Sequence, residues 1–369
     1  MHYHIILTEK CNSKCKYCYE KSMNEFENGL DKKWKFDFSA PCDSEVSVEK
    51  LKKFLNAGDT IIFYGGEPLV NFKKMKEIMD GLQNSGLKFC IQTNGKLLNE
   101  IPYEYIKKMD KMLVSIDGDK KRTDYNKGKG TYDAVVGNLR ELREKGFQNE
   151  IVARMTISPE FSDLYEQVNH LTSLGIFDSI HWQIDAGFYK NDFDEKKFSE
   201  FADKYNSSVE KLIGFWIEKM KKGKVLRLYP FMGILNRLMG WDKETRMHCG
   251  SGYANYTITT DGKITSCPIM NNVAEFYAGN LESEKLKQFD LDEPCDSCDY
   301  KNICGGRCLY WNKAKLWPEE GDKLICKTII FLIEKLKNKI PEIKKLISSG
   351  KISEKNFEYE KYFGPEIIP

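Results

Sequence analysis

Ile5-Ile6-Leu7-Thr8-Glu9-Lys10-Cys11-Asn12-Ser13-Lys14-Cys15-Lys16-Tyr17-Cys18 is the stretch from which the rest of the chain is read. An apolar run of strand length delivers a loop whose three thiols follow the spacing CxxxCxxC. Three cysteines on one tight loop can converge on a single metal cluster. A [4Fe-4S] cube has four iron corners, so three cysteines leave one iron without a protein ligand. An open iron can bind and reduce a small molecule, whereas a cluster closed by four cysteines only carries electrons. A zinc knuckle is the alternative, but structural zinc closes with four ligands and usually pairs C-x2-C with a second such pair or with histidines. No such partner lies nearby in the sequence.

Composition narrows the class. With 369 residues, 41% of them apolar, the chain can bury one large or two modest cores. Lys+Arg 57 against Asp+Glu 55 leave a net charge of +2, which argues against a general nucleic-acid binder. There is no run of about 18 apolar residues and no signal-peptide pattern, so a cytoplasmic protein without a membrane partner is expected. In a reducing compartment, 12 cysteines argue for metal ligation rather than disulfides. They cluster from Cys11 to Cys90 and from Cys249 to Cys326, with none between.

Strands are expected at 2–8, 60–64, 87–92, 111–116, 150–157 and 179–185. Helices are expected from Ser47, then at 71–85, 97–109, 131–145 and 161–174, with a long helical segment at 194–222. Residues 21–45 read as a polar and aromatic insertion without clear period. Alternating βα units imply a parallel sheet with helices outside, and the Gly-rich and polar motifs fall at strand C-terminal ends, where such folds place ligands. The expected fold is α/β, a partial (β/α)6 TIM-like barrel, followed by a cysteine-rich domain and a terminal helix. The expected boundaries are 1–230, 231–335 and 336–369. The lysine-rich helix to about 348 and the polar tail from Lys351 carry no assigned chemistry.

With the aromatic Tyr17 before its third cysteine, the N-terminal loop resembles that of the radical S-adenosylmethionine (SAM) superfamily. Gly65-Gly66-Glu67-Pro68 is similar to that family's GGEP motif. The resemblance implies a [4Fe-4S] cluster on Cys11, Cys15 and Cys18 whose open iron takes the amino and carboxylate groups of SAM. Reductive cleavage then releases a 5′-deoxyadenosyl radical that abstracts a hydrogen atom from a substrate. An external electron donor such as ferredoxin or flavodoxin is implied as well.

The resemblance also implies SAM contacts. Backbone at Tyr17 would read adenine, while Gly65, Gly66 and Glu67 would receive the amino group. Ser115 and Asp117 would meet the carboxylate or ribose, and Thr93 and Asn94 fill the third strand end. From the residues alone, Gly65-Gly66 with Pro68 is also an ordinary turn, although small side chains leave its backbone open to a ligand. Asp117-Gly118 is likewise a capped turn. Arg154, charged within an apolar strand, is expected to face the barrel mouth and pair with a carboxylate, which in the family is that of SAM. Gln183 is a similar interior candidate, and for both a structural role is an equal reading. The stretch 117–132 resembles the DG…GKGTF segment of a subgroup, but Thr123-Asp124 and Lys127 stand where that subgroup has His-Asp and Arg.

The second cysteine region matches the seven-cysteine SPASM pattern. Cys249 precedes Gly262 and Cys267, then come Cys295-x2-Cys298-x5-Cys304-x3-Cys308, and finally Cys326. Two structural zinc sites would need an eighth ligand, for which His248 is the candidate. Asp261-Gly262 between β-rich runs reads as a hairpin turn. By the resemblance, Cys295, Cys298, Cys304 and Cys326 close a distal [4Fe-4S] cluster. Cys249, Cys267 and Cys308 hold a nearer one whose fourth ligand is open, with Cys42, His248 or a carboxylate as candidates and Cys90 as a core thiol. Three [4Fe-4S] clusters and SAM are therefore the expected cofactors. The expected function is modification of a peptide or protein side chain, with a thioether at a cysteine as one outcome. Pro268 stands where sulfatase-maturing members carry an aspartate base, which argues against their oxidation. The short lead before Cys11 leaves no room for an N-terminal peptide-recognition domain, so a separate recognition partner is expected.

Overall fold

The computed structural model describes residues 1–18, 29–187 and 193–369, so residues 21–28 of the expected insertion lie outside the described residues. In chain order the strands are β1 His2–Thr8, β2 Thr60–Gly65, β3 Lys88–Thr93, β4 Lys111–Ser115, β5 Glu150–Ile157, β6 Ser179–Ile184, β7 Arg227–Leu228, β8 Asn255–Ile258, β9 Lys263–Thr265 and β10 Tyr277–Asn280. Helices intervene between successive strands from β1 to β6, the alternation of a partial (β/α)6 barrel. The chain forms two compact units, one of residues 1–153 with 250–290, the other of 154–249 with 291–369.

In the first unit β1 is the middle strand, parallel to β2 on one side and to β8 on the other. A strand flanked on both sides and covered on both faces reads as a continuous apolar run, and Ile5, Ile6 and Leu7 are all buried. β2, β3 and β4 continue in parallel, while β8, β9 and β10 form an antiparallel meander turned at Asp261-Gly262, where Gly262 has φ +88. The register of β1 against β2 shifts between Ile6 and Thr8. Such an irregularity redirects the chain, and here it launches the cysteine loop.

Helix Val48–Phe54 starts where Ser47 accepts the Lys50 N–H. The single helix expected at 97–109 is instead a 3-10 turn, Leu98–Glu100, and a short helix, Tyr103–Ile106. Pro102 lacks an N–H and pushes Ile101 out of helical conformation, to ψ 133. An unexpected helix, Lys120–Lys127, begins where Asp119 accepts the Arg122 N–H; its polar sequence hid it from a reading based on apolar period.

In the second unit, helix Glu195–Lys221 buries Phe198, Phe201, Ala202, Tyr205, Val209, Leu212, Ile213, Trp216, Ile217 and Met220 at three- and four-residue spacing. It packs against helix Glu319–Lys337. Helix Tyr229–Leu238 was not expected. It starts with Pro230 in its first turn and is buried almost all round, so it shows no polar face. Phe231 lies 5.2 Å from each of Trp182 and Trp216.

The C-terminal segment read as a polar tail is largely buried. Phe357, Tyr362, Glu366 and Ile368 are all buried, and the carbonyls of Gly364 and Ile367 meet Arg154 and His181. Its alternation of polar and apolar residues conceals the apolar side it packs inward. No helix of the described residues is long and apolar enough to cross a membrane.

Candidate cofactor and cluster sites

The cysteine loop is held from two directions, both within the first unit. The first hold is the end of β2. Gly66 N–H donates to Thr8 O and Glu67 N–H to Lys10 O, each at 2.9 Å. A Cβ on Gly65 would lie 2.2 Å from Thr8 O, and one on Gly66 would lie 2.5 Å from the carbonyl oxygens of Glu9 and Lys10. The side of each glycine on which a Cβ would stand is thus filled by the chain's own backbone. The two glycines are needed so that β2 can press against the root of the loop.

Glu67 extends this hold. Its side chain is 1% exposed. Oε1 accepts from Leu69 N–H at 3.1 Å and Thr93 Oγ1–H at 2.7 Å, and Oε2 accepts from Asn94 N–H at 2.6 Å. Burial raises the carboxyl pKa, against the pull of those three hydrogen bonds. Asn94 in turn donates through Nδ2 to Asn12 Oδ1 at 2.6 Å and Ser13 Oγ at 3.3 Å, and lies 4.0 Å from Cys11 Sγ. Lys96 adds a bond from Nζ to Asn12 O at 3.0 Å. Glu67, Thr93 and Asn94 therefore form one chain from the GGEP turn through the end of β3 to the cysteine loop. Lys96 was missed; its position just past Asn94-Gly95 was the available signal.

Glu67→Gln is expected to set an amide NH2 against one of these donors. The buried mismatch should cost about 1–3 kcal/mol of stability, read as a lower thermal midpoint with iron content retained. An unchanged midpoint would mean that the carboxylate does not brace the loop.

The second hold is Asp117, fully buried just past β4. Its Oδ2 accepts from Tyr17 Oη–H at 2.6 Å and from Asn126 Nδ2 at 3.0 Å, and its Oδ1 lies 4.0 Å from Lys127 Nζ. Lys127 Nζ also sits 4.9 Å from the centre of the Tyr17 ring, and Lys16 Nζ sits 3.0 Å from that of Tyr125. Lys16 N–H donates to Asn126 O at 2.9 Å. The carboxylate expected at SAM is thus engaged with Tyr17 and helix Lys120–Lys127, and Lys127 supplies a charge beneath the loop. Ser115 lies half-buried at the end of β4.

Three thiolates on one loop suit a four-iron cube with one open corner. Cys18 N–H donates to Cys15 O at 3.3 Å, closing the tight turn between the second and third thiols. Burial pushes the Cys11 thiol up, while the Ser13 backbone and Lys96 favour its thiolate. The donor set and its bracing fit the cluster.

In the second unit, Arg154 donates from Nη1 to Gly364 O at 2.8 Å and from Nη2 to Gln183 Oε1 at 3.2 Å. These two candidates bond each other and the C-terminal segment. His181 is kept neutral by burial first and by the Arg154 charge second.

Burial first, then the charges of Cys304 and Cys298, raise the Cys295 thiol to about 11, and burial first, then those of Cys304, Cys295 and Cys298, raise the Cys326 thiol to about 12. Four thiols so grouped fit a closed cluster. Among the described residues no three His, Cys, Asp or Glu side chains gather closely enough for a single metal ion, and no disulfide joins the cysteines. His248, the candidate eighth ligand, donates from Nε2 to Ile303 O at 2.8 Å, and its Nδ1 faces Gly233, where a Cβ would lie 3.1 Å away. Burial first and the Arg237 charge second lower its pKa to about 3. Its ring is turned into the packing of its own unit, not offered to a cluster.

Cys308 caps helix Leu309–Ala314, and Cys267 precedes the turn Pro268–Met270. Cys90 is a fully buried core thiol in β3. Cys42 is exposed, and its carbonyl accepts the Glu9 N–H at 2.8 Å. In the sheet register Thr265 lies opposite Thr257, and Thr257 opposite His4. Cys267 thus comes level with His2, about 20 Å along the strands from Thr8 and Cys42.

The family model of the radical SAM superfamily matches residues 5–171. The radical SAM cyclopropyl synthase TigE of Paramaledivibacter caminithermalis is 25% identical over 90% of this chain and 74% of its own length. A cysteine-type anaerobic sulfatase-maturating enzyme of Clostridium perfringens is 24% identical over 83% of this chain and 87% of its own. A solved structure of anSMEcpe with bound AdoMet and a Kp18Cys peptide shares the fold, with TM-score 0.69, 18% identity, and coverage of 94% of this chain and 99% of that one. Residues 5–171 are thus similar to the radical SAM superfamily, and seven further cysteines lie in the second half of the chain.

Proposed function

We propose that this enzyme modifies a peptide or protein side chain, and that it joins a substrate cysteine to a neighbouring carbon as a thioether. If held at the loop and at the SPASM cysteines, the clusters and SAM would supply a 5′-deoxyadenosyl radical to take one hydrogen atom from the substrate carbon, and a sink for the electron released as a thiolate, its proton already lost to solvent, closes the C–S bond. The protein's part is positional. Glu67–Asn94 and Asp117–Tyr17 hold the loop from two sides, so that the open corner keeps one orientation.

The observation that carries the thioether reading concerns the nearer cluster, to which the SPASM spacing gives only Cys249, Cys267 and Cys308. Cys42 lies by Thr8 and Glu9, at the far end of β1 from the level of Cys267, and His248 is engaged within its own unit. A ligand position left by the protein suits a substrate thiolate, whose pKa a metal lowers. Relatives acting on peptides support the substrate class, and an external donor such as ferredoxin would supply the reducing electron.

The test uses anaerobically reconstituted protein lacking only the first cluster. A candidate peptide containing cysteine should perturb the auxiliary-cluster spectrum, and the same peptide with serine should not. No change with cysteine, together with loss of one cluster in Cys42→Ala, would show that the protein closes the site itself.

A further inference from the structure

One face of β6 packs against helices. The Trp182 ring lies 5.2 Å from Phe231, and its Nε1–H donates to Tyr205 Oη at 3.0 Å. Side chains alternate along a strand, so His181 and Gln183 stand on the opposite face. Arg154, on the neighbouring strand β5, joins them there through its bond from Nη2 to Gln183 Oε1 at 3.2 Å. Residues 362–368, neither helix nor strand, lie on this face. Two of their main-chain carbonyls are received by its side chains. Arg154 Nη1 donates to Gly364 O at 2.8 Å, and His181 Nε2 donates to Ile367 O at 3.3 Å.

Placing an arginine and a fully buried histidine on apolar strands costs desolvation that packing a tail does not require. Donors aimed at main-chain carbonyls grip an extended peptide whatever its side chains are, while apolar pockets between them select sequence. Tyr362 and Ile368 flank the two gripped carbonyls and are 7% and 1% exposed. Gln183, which orients Arg154, is the last residue but one of β6, at the strand end where α/β folds place ligands. The segment itself is not woven into the sheet. Phe363 takes φ +55, a costly conformation for a residue with a side chain. Tyr362 N–H donates to Glu366 Oε1 at 2.9 Å, a bond internal to the segment that does not tie it to the strands. A segment outside the ladder opens at less cost than the strands and helices around it.

We infer that this face of β5 and β6 is a peptide-binding site, in which Arg154 and His181 donate to main-chain carbonyls of an extended, apolar peptide, and that residues 362–368 are its resident occupant, displaced when a peptide substrate binds. This rests on the reading that the substrate is a peptide. The occupant shows the chemistry that the site accepts: two carbonyls three residues apart, with a large apolar side chain on either side of them.

The experiment uses the full chain under anaerobic conditions and an acetylated synthetic peptide with the sequence of residues 358–369. Hydrogen exchange in a denaturant series should show the amides of 362–368 opening below the denaturant concentration that opens helix Glu195–Lys221. Exchange of both only on global unfolding overturns the inference. Ile368→Asp should release the segment, and the released chain should bind the peptide at least about tenfold more tightly than the unsubstituted chain does, because the tethered competitor is gone. Adding Arg154→Met should abolish that binding. A folded Ile368→Asp chain with no gain in peptide affinity, or binding that survives Arg154→Met, also overturns it. If Ile368→Asp does not fold, the exchange result on the unsubstituted chain decides. Peptide binding here with no response of the auxiliary cluster to a cysteine peptide would support this site and remove the thioether reading; the reverse result removes this site alone.

Discussion

Anaerobically reconstituted protein should carry about twelve iron and twelve sulfide per chain, as three four-iron clusters. Replacing Cys11, Cys15 and Cys18 together with alanine should leave about eight of each and abolish SAM cleavage. The expectation rests on three thiols crowded on one loop from β1, with Cys11 near Asn94 and Lys96. The loop's bracing runs through Asn12, Ser13 and Tyr17 rather than through the thiols, so the triple variant should still fold. Iron and sulfide analysis with a SAM-cleavage assay checks both halves. Zinc in place of iron after anaerobic purification would sink the reading of all three sites. About four iron in the unsubstituted protein would confine it to the first.

Asp117→Asn should be the most destabilising single change at the loop. It sets an amide NH2 against Tyr17 and Asn126, and it leaves the Lys127 ammonium, itself almost wholly buried, without its carboxylate. Breaking a buried pair from one side costs about 3–5 kcal/mol, because the remaining charge has no solvent to return to. Lys127→Met in the same chain removes that orphaned charge and should restore much of the loss. Denaturant unfolding of the two single variants and the double variant closes the cycle. If the double variant is as unstable as the two single losses added, Asp117 and Lys127 act independently and the second hold on the loop is misread.

Why some of this could be read from residues alone is a matter of distance along the chain. Cys11, Cys15 and Cys18 fall within one turn of loop, and the SPASM cysteines keep short fixed spacings, so ligand sets are local facts. The βα alternation is local too, because apolar period and a capping side chain such as Ser47 decide each element within a few residues. Identity of neighbours is not local. Asp117 meets Tyr17 a hundred residues away. Arg154 meets Gly364 across 210, in a tail whose mixed sequence gave no period to read. The sequence by itself determined that thiols cluster at both ends of an α/β chain. Only the tertiary structure decided that Gly65 and Gly66 make room for backbone, and that Glu67 and Asp117 brace the loop. Strand register and the packing of buried charge set those pairings, and neither is written in any single segment.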